Sequence, residues 1–430
     1  MELRTEELVF YRDERGGVLD TLSSLRKKAD DVSTYCRLMQ EMFDLAESYG
    51  FSGNVWHSYL TWFIVYHENA YSKAAEIRPS VPGGINQVAL HDFEILRELY
   101  AYDFSDLEQA LHVSLYQMAS DYEFGGDDRR LASRRIRDRI EDLSRKLSAS
   151  EDVAEFKHHI DAFYRDFGCG KYGLHKAFRI VHDEGGRMQI VPITNIAHMR
   201  LDDLVGYEIQ KKKLRENTEA FLAGRRANNC LLFGDAGTGK SSSIKGILNE
   251  YYEQGLRIIE VYKHQLQDLV HVLAQIKNRN YRFIIYMDDL SFEDFETDYK
   301  YLKAVIEGGL EKKPENVLIY ATSNRRHLIR ENYADKEGDI RSDMHTSDTV
   351  QEKLSLSYRF GVTIYFGAPT RKEFNQILKG ICQKEGLKMD EEKLCRDANA
   401  WELSHGGRSG RSAKQFIDHL LGTMEEEEWL

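Results

Sequence analysis

The segment Gly234-Asp-Ala-Gly237-Thr-Gly239-Lys240-Ser241 constrains this chain more than any other. It matches the pattern G-x-x-x-x-G-K-[ST] in full, and its setting is the one that the pattern demands. An apolar run, Cys230–Phe233, precedes it, and Ser242–Tyr252 follows with helical period. The glycines let the backbone curl until successive N–H groups point inward at an anion. The helix that follows adds its unpaired N–H groups and the positive end of its dipole. Lys240 brings a fixed charge to the β- and γ-phosphates, and the Ser241 hydroxyl is placed to hold Mg²⁺. A chance glycine-rich turn accounts poorly for a motif with both strand and helix in place. The expectation is a nucleoside-triphosphate site on a strand–loop–helix unit.

Such a unit needs neighbours, and the second half of the chain supplies them. Arg257–Tyr262, Arg282–Met287, Val317–Ala321 and Val362–Phe366 are short, nearly all apolar, and separated by helical runs. Strands of that kind are buried on both faces and predict a parallel sheet covered by helices. Phe283-Ile-Ile-Tyr-Met-Asp288-Asp289 is a strand that ends in two acids. Asp288 is placed to deliver a carboxylate to the metal and Asp289 to orient an attacking water, unless the acids merely cap a strand end. Val317-Leu-Ile-Tyr-Ala-Thr-Ser-Asn324 ends in polar residues. Parallel strands open their carboxyl ends onto one crevice, so Asn324 emerges beside Asp288, there to hold the water or the γ-phosphate. A turn-forming Asn is the plainer reading. Leu356-Ser-Tyr-Arg359-Phe-Gly361 precedes the last strand. From there an arginine reaches a neighbouring subunit's γ-phosphate, a contribution of about 10³–10⁵ in rate, or else makes a structural salt bridge.

Gly234–Ser241, Phe283–Asp289, Asn324, Arg359 and the helical C-terminal segment together resemble the AAA+ ATPase superfamily. They stand where Walker A, Walker B, sensor 1, arginine finger and lid stand. Leu201-Asp-Asp-Leu-Val205-Gly206-Tyr207 resembles the segment that leads in on the adenine side. More closely, residues 202–366 resemble a widespread, uncharacterised bacterial family of predicted AAA+ ATP-binding proteins. The phrases GDAGTGKSS, MDDLSFE, LIYATSNRRHL and LSLSYRFG carry that match. It covers the core and lid strongly and the N-terminal half more weakly.

The resemblance implies an α/β core with a parallel sheet in 5-1-4-3-2 order, a helical lid, ATP and Mg²⁺ as cofactors, and a homo-oligomer built as a ring or partial ring. It also implies nucleotide contacts from Gly234, Asp235, Ala236, Gly237, Thr238, Gly239, Lys240, Ser241, Ser242, Val205 and Gly206, and metal contacts from Ser241 and Asp288. Gly406-Gly-Arg408-Ser-Gly-Arg411 resembles the sensor 2 segment. Arg411, just ahead of the apolar helix Phe416–Leu421, is preferred over Arg408 as the lid arginine; a surface loop without nucleotide contact is the alternative.

Two departures stand out. Most Walker B motifs of the superfamily end Asp-Glu, and this one ends Asp288-Asp289. A carboxylate one methylene shorter misplaces the water, and an error of about 1 Å costs about 10²-fold. Slow hydrolysis, or a switch that mainly binds ATP, follows as an option. Glu293 substitutes only if its loop folds back. The second departure is Lys263–Leu269, which lacks the aromatic-hydrophobic-glycine loop of protein-threading unfoldases, so threading is not the first reading.

Residues 1–195 read as helix after helix. Asp31–Ser48 sets Val32, Tyr35, Leu38, Met39, Met42 and Leu45 on one stripe, and Phe93–Tyr102 and Leu107–Met118 repeat the pattern. Pro79-Ser-Val-Pro82-Gly-Gly breaks the region. Arg129–Leu147 carries Arg129, Arg130, Arg134, Arg135, Arg137, Arg139, Arg145 and Lys146 beside Leu131, Ile136, Ile140, Leu143 and Leu147. It is a solvated helix paired with Asp138, Glu141 and Asp142, or less readily a basic face for nucleic acid or an acidic partner. Gly168-Cys-Gly170-Lys-Tyr-Gly173 spells GxGxxG, but helical text precedes it where a dinucleotide site needs a strand, so it reads as a loop between helices. Ser48–His67 lacks charged residues, yet its dense apolar part, Tyr59–Tyr66, is too short to span a bilayer and reads as a buried helix.

The resulting division is a helical N-terminal domain for partner recognition (1–195), an AAA+ core (196–368) and a helical lid (369–430). A net charge of −12 makes the chain a poor general binder of nucleic acid or anionic membrane. Five scattered cysteines without a CxxC pair and an N-terminus without an apolar leader fit the cytoplasm. Ile340–Glu352 is a polar insert, and Glu425–Glu428 a solvated end. The functional expectation is an oligomeric ATPase that remodels or loads a protein or nucleic-acid partner, with no membrane role. The alternative is an ATP-dependent binding switch with little turnover; a P-loop kinase or nucleic-acid motor is the weaker third.

Overall fold

Helical period in the first half of the chain becomes helices around one apolar core, and the apolar runs of the second half become a sheet. The structure is a computed structural model that describes residues 4–27, 31–78, 80–126, 134–293, 296–307, 313–326, 328, 356–387 and 389–423. The chain divides into two units, Met1–His175 and Lys176–Leu430.

In the first unit the helix Val32–Tyr49 starts on the Asp31 carboxylate, which accepts from the Thr34 N–H, and ends at Gly50 with φ 75°. Its stripe turns Tyr35, Leu38, Met39 and Met42 inward, whereas Val32 at the first position stays 39% exposed. Val55–Tyr66 is buried nearly all round, with Trp56, Leu60, Phe63 and Ile64 in the core. No helix among the described residues is long and apolar enough to cross a membrane. Arg134–Ala149 buries Ile136, Ile140, Leu143 and Leu147. On its outer side Arg137 meets Asp138 at 2.9 Å, and Arg145 and Lys146 meet Asp142 at 3.2 and 2.6 Å. Glu141 instead accepts the Ser52 N–H at 3.0 Å. Arg129, Arg130 and Leu131 lie outside the described residues, as do Pro79, Ile340–Glu352 and Glu425–Glu428. The GxGxxG stretch follows the helix Val153–Phe167 and runs into the short helix Gly170–Leu174, with β1 after it, so it is not the loop between two helices that the sequence suggests. Gly173 serves packing: a Cβ there would sit 2.7 Å from the Gly168 carbonyl carbon.

Asp92 organises the start of the chain. Its carboxylate is fully buried on the helix Gly84–Tyr100 and accepts the N–H groups of Val9 (3.1 Å), Phe10 (2.6 Å) and Tyr11 (3.1 Å). A buried charge is tolerated only when hydrogen bonds replace its hydration.

The second unit holds a seven-stranded sheet: β1 (Ala177–His182), β2 (Met188–Pro192), β3 (Cys230–Gly234), β4 (Leu256–Glu260), β5 (Arg282–Met287), β6 (Val317–Ser323) and β7 (Val362–Phe366), in the order β2-β1-β4-β5-β6-β3-β7. The strands β4, β5, β6, β3 and β7 pair in parallel. Counted from β3, they stand in the order 5-1-4-3-2, which is the order that the AAA+ resemblance implies. Three helices, Arg371–Glu385, Glu391–Ser404 and Gly410–Thr423, form a lid with its own apolar cluster that includes Phe374, Leu378, Leu394 and Phe416. The α/β class with an AAA+ core and a helical lid is therefore the fold of this unit.

The hairpin β1–β2 departs from the sequence reading, which runs helices through residue 195 and begins the core at 196. The division falls instead between His175 and Lys176. β1 pairs in parallel with β4 through Ala177, Phe178 and Arg179, and antiparallel with β2. The signal is short but present. Phe178 and Ile180 face in, Arg179 faces out, and Asp183-Glu-Gly-Gly supplies a turn in which the Asp183 carboxylate accepts from Gly185 and Arg187.

Replacement of Asp92 by Ala leaves three N–H groups without their acceptor, a loss of about 3 kcal/mol. Amide hydrogen exchange at Val9, Phe10 and Tyr11 is expected to accelerate in Asp92→Ala, with a lowered midpoint for the N-terminal unit. Unchanged protection of those three amides contradicts a role for Asp92 as their common acceptor.

Candidate functional site

The carboxyl edge of the parallel sheet is where the sequence motifs converge. β3 ends at Gly234, whose φ of 132° and distance to β7 both demand glycine: a Cβ would lie 2.1 Å from the Phe366 carbonyl oxygen. Asp235 then ties the loop to the strand beside it. Its N–H donates to Phe366 O at 3.0 Å, and its carboxylate accepts the Ala368 N–H at 2.7 Å. The Thr238 hydroxyl closes the loop on Asp235 O at 2.8 Å.

Lys240 opens the helix Lys240–Tyr251 and is only 7% exposed. Its ammonium donates to Gly234 O (2.9 Å), Asp235 O (2.6 Å) and Asn324 Oδ1 (3.0 Å). Burial pushes its pKa down, against the attraction of Asp235, Asp289 and Asp288. The Ser241 hydroxyl donates to Asp288 Oδ1 at 2.7 Å, and Thr322 Oγ1 donates to the same oxygen at 2.6 Å. Burial works to raise the Asp288 pKa, but hydrogen bonds led by that from Thr322 outweigh it and hold the carboxyl below its ordinary value. Asp289 has φ 48°, and its N–H donates to Thr322 Oγ1 at 2.9 Å. Asn324 Nδ2 donates to Asp289 Oδ1 at 2.8 Å. Asn324 thus bridges Lys240 and Asp289, one amide face to each.

The lid closes over this edge. The Arg411 N–H donates to Gly237 O at 3.2 Å. A Cβ on Gly237, which has φ 74°, would come within 2.9 Å of Ser409 Oγ and 3.0 Å of Arg411 Cβ. Between loop, lid and lead-in segment lies a cleft of about 680 Å³. Ala236, Gly237, Thr238, Gly239, Lys240, Ser241, Ser242, Asp288, Asp289, Asn324 and Arg411 line it. Its apolar lining comes from Met199, Leu204, Val205, Ile377 and Ile381. Asp203 and Lys384, paired at 2.8 Å, join the lead-in segment to the lid.

Several residues named from the sequence stand outside the cleft lining. Gly234 and Asp235 shape the loop from behind. Gly206 (φ 80°) turns the chain beside Tyr207 (φ 58°), which does line the cleft and whose hydroxyl fixes that turn on Gly367 O at 2.9 Å. Arg408 lies 3.8 Å from Glu402. Glu293 lies 3.8 Å from Arg325 and does not line the cleft. Lys263–Asp268 forms a 3₁₀ helix. Arg359 precedes β7, which runs parallel to β3 with Phe366 beside Gly234. It therefore stands at the amino edge of the sheet, and a five-residue strand spans about 16 Å.

Thr322, Met199, Leu204, Ile377, Ile381 and Lys384 are cleft residues that the sequence reading passed over. Ile377 and Ile381 stand four apart on one lid helix, which is core spacing as much as site spacing. Nothing in the text Ala-Thr-Ser distinguishes Thr322 from any other strand residue.

Among solved structures, the chain is similar to the Thermotoga maritima RuvB Holliday junction branch migration motor, at 15% identity, 54% coverage of this chain, 74% of that one and a TM-score of 0.33. Two variants of that protein match at 16% and 15% identity with the same coverage and TM-score. A TM-score that low carries no weight beside the strand order itself. No curated protein matches the chain. Residues 174–424, more than half of the chain, match the family model described as protein of unknown function (DUF815). The chain belongs to that family, and the matched segment is the AAA+ unit with its sheet, its cleft and its lid.

Proposed function

We propose that the protein is an oligomeric ATPase that binds ATP with Mg²⁺ in the cleft and hydrolyses it. In this reading the ATP cycle remodels or loads a protein or nucleic-acid partner recognised by the N-terminal unit, in the cytoplasm; five free cysteines fit such a reducing compartment. The observation that carries the reading is the chain of contacts Lys240–Asn324–Asp289 beside the Ser241–Asp288 pair.

Each residue has a stated task. The backbone N–H groups of Gly237 to Ser242 and the start of the helix Lys240–Tyr251 face phosphate. Lys240 turns a desolvated ammonium toward the β- and γ-phosphates. Ser241 and Asp288 offer one hydroxyl and one carboxylate 2.7 Å apart, a hard-oxygen pair that would hold Mg²⁺. Such an ion would supply positive charge to the phosphates. Asp289 orients the attacking water and Asn324 keeps that carboxylate in register with the phosphate end. Arg411 reaches the phosphates from the lid. The apolar residues Leu204, Val205, Ile377 and Ile381 suit the faces of a purine, with Gly206 allowing the turn of the lead-in segment. Arg359, at the far edge of the sheet, serves a neighbouring subunit in a ring or partial ring.

One feature favours a second reading, an ATP-dependent binding switch. Asp289 is shorter than the usual Glu and is already hydrogen-bonded to Asn324. ATP bound tightly and never turned over supports that switch.

Specific ATPase activity is expected to rise with protein concentration and to vanish in Lys240→Ala. Arg359→Ala is expected to lower turnover by at least about 10³-fold while ATP still binds. Activity independent of both substitutions refutes the reading. Arg411→Ala is expected to weaken ATP binding about tenfold, the loss of one charge-assisted contact, and Arg408→Ala to leave it within about twofold. Calorimetric titration of both variants checks this, and a reversed order assigns the lid contact to Arg408.

A further inference from the structure

Thr322 is the penultimate residue of β6 and is 1% exposed. Its hydroxyl donates to Asp288 Oδ1 at 2.6 Å and accepts the Asp289 N–H at 2.9 Å. A hydroxyl has one proton, so the bond given to Asp288 turns the lone pairs toward Asp289. Its carbonyl oxygen accepts the Leu290 N–H at 2.7 Å. One β-branched residue, stiff at χ1, thus holds three consecutive residues of the neighbouring strand end.

The middle residue of those three is held in an unusual state. Asp289 has φ 48°, in the left-handed region that most residues with a Cβ avoid and that Asp enters at a smaller cost. Hydrogen bonds from the surroundings fix such a conformation against the commoner alternatives. Here they do so on both sides: Thr322 takes the N–H, and Asn324 Nδ2 takes the carboxylate at 2.8 Å. Asn324 in turn accepts from Lys240 at 3.0 Å, which places the short carboxylate one contact away from the phosphate-binding ammonium.

We propose that Thr322 is a positioning residue for hydrolysis: its hydroxyl locks Asp289 into the left-handed turn that brings a carboxylate one methylene short to the working distance of the water. The turn supplies by backbone what a longer side chain supplies elsewhere. This inference rests on the hydrolytic reading above. It assigns Thr322 no contact with nucleotide; it acts through Asp289 and Asp288.

The test uses the full-length protein as wild type, Thr322→Val, Thr322→Ser and Asp289→Glu, with kcat, KM and equilibrium ATP affinity measured for each. Val keeps the shape of Thr and removes the hydroxyl. Thr322→Val is expected to lower kcat about 10²-fold, the cost of about 1 Å of misplacement, with KM and ATP affinity within about threefold. Thr322→Ser restores kcat to within about threefold of wild type. Asp289→Glu is slower than wild type, because the held turn fits the shorter acid. Wild-type kcat in Thr322→Val overturns the inference, and so does equal loss of kcat and ATP affinity, which marks a merely structural role. An Asp289→Glu protein faster than wild type overturns it even if Thr322→Val does not fold. A wild-type protein that binds ATP without turnover fails the hydrolytic reading itself and takes this inference with it. Turnover that ignores Thr322 fails the inference alone.

Discussion

A desolvated ammonium group organises the carboxyl edge of the parallel sheet. Lys240 is nearly buried, and a lysine charge loses its hydration there unless fixed oxygens replace it. Two loop carbonyls and the Asn324 side chain do so. The carbonyls can reach it only because the glycines curl the loop, and the loop can curl only because β7 passes close enough to Gly234 to exclude any side chain. Asn324 is available only because β6 lies between β3 and β5 in the sheet. The strand order, the glycines and the polar strand ends thus serve one arrangement, in which a cation and two carboxylates stand side by side without collapsing into a direct ion pair.

Much of this was legible in the sequence, for physical reasons that differ by element. The strands β3 to β7 are short and apolar because both faces are covered, and such runs are visible without any alignment. Their polar ends share one edge because parallel strands end on one side, which brings Lys240, Ser241, Asp288, Asp289 and Asn324 together. The β1–β2 hairpin was lost because two strands of six and five residues, the first with an outward arginine, are too short to stand out from the helical text before them. Thr322 was lost for a different reason. Its importance lies in which carboxylate it faces across the sheet, and strand register is not written in the residue type. The left-handed backbone at Asp289 is equally silent, since an Asp after a buried strand takes many conformations.

Under the hydrolytic reading, the two edges of the AAA+ sheet carry different halves of one chemistry. At the carboxyl edge stand the groups that bind phosphate and place a carboxylate. Arg359 precedes β7 and does not line its own cleft. In that reading the Arg359 of a neighbouring copy supplies the charge that the cleft lacks.

The most direct test of completion between subunits is to mix two inactive proteins. Lys240→Ala keeps Arg359 but cannot use its own cleft, and Arg359→Ala keeps an intact cleft but offers no arginine. Each alone is expected to be silent, and the mixture is expected to regain ATPase activity as Lys240→Ala chains present Arg359 to the intact clefts of their neighbours. A mixture no more active than the sum of its parts, at concentrations where the wild type assembles and turns over, contradicts a hydrolytic centre shared between subunits.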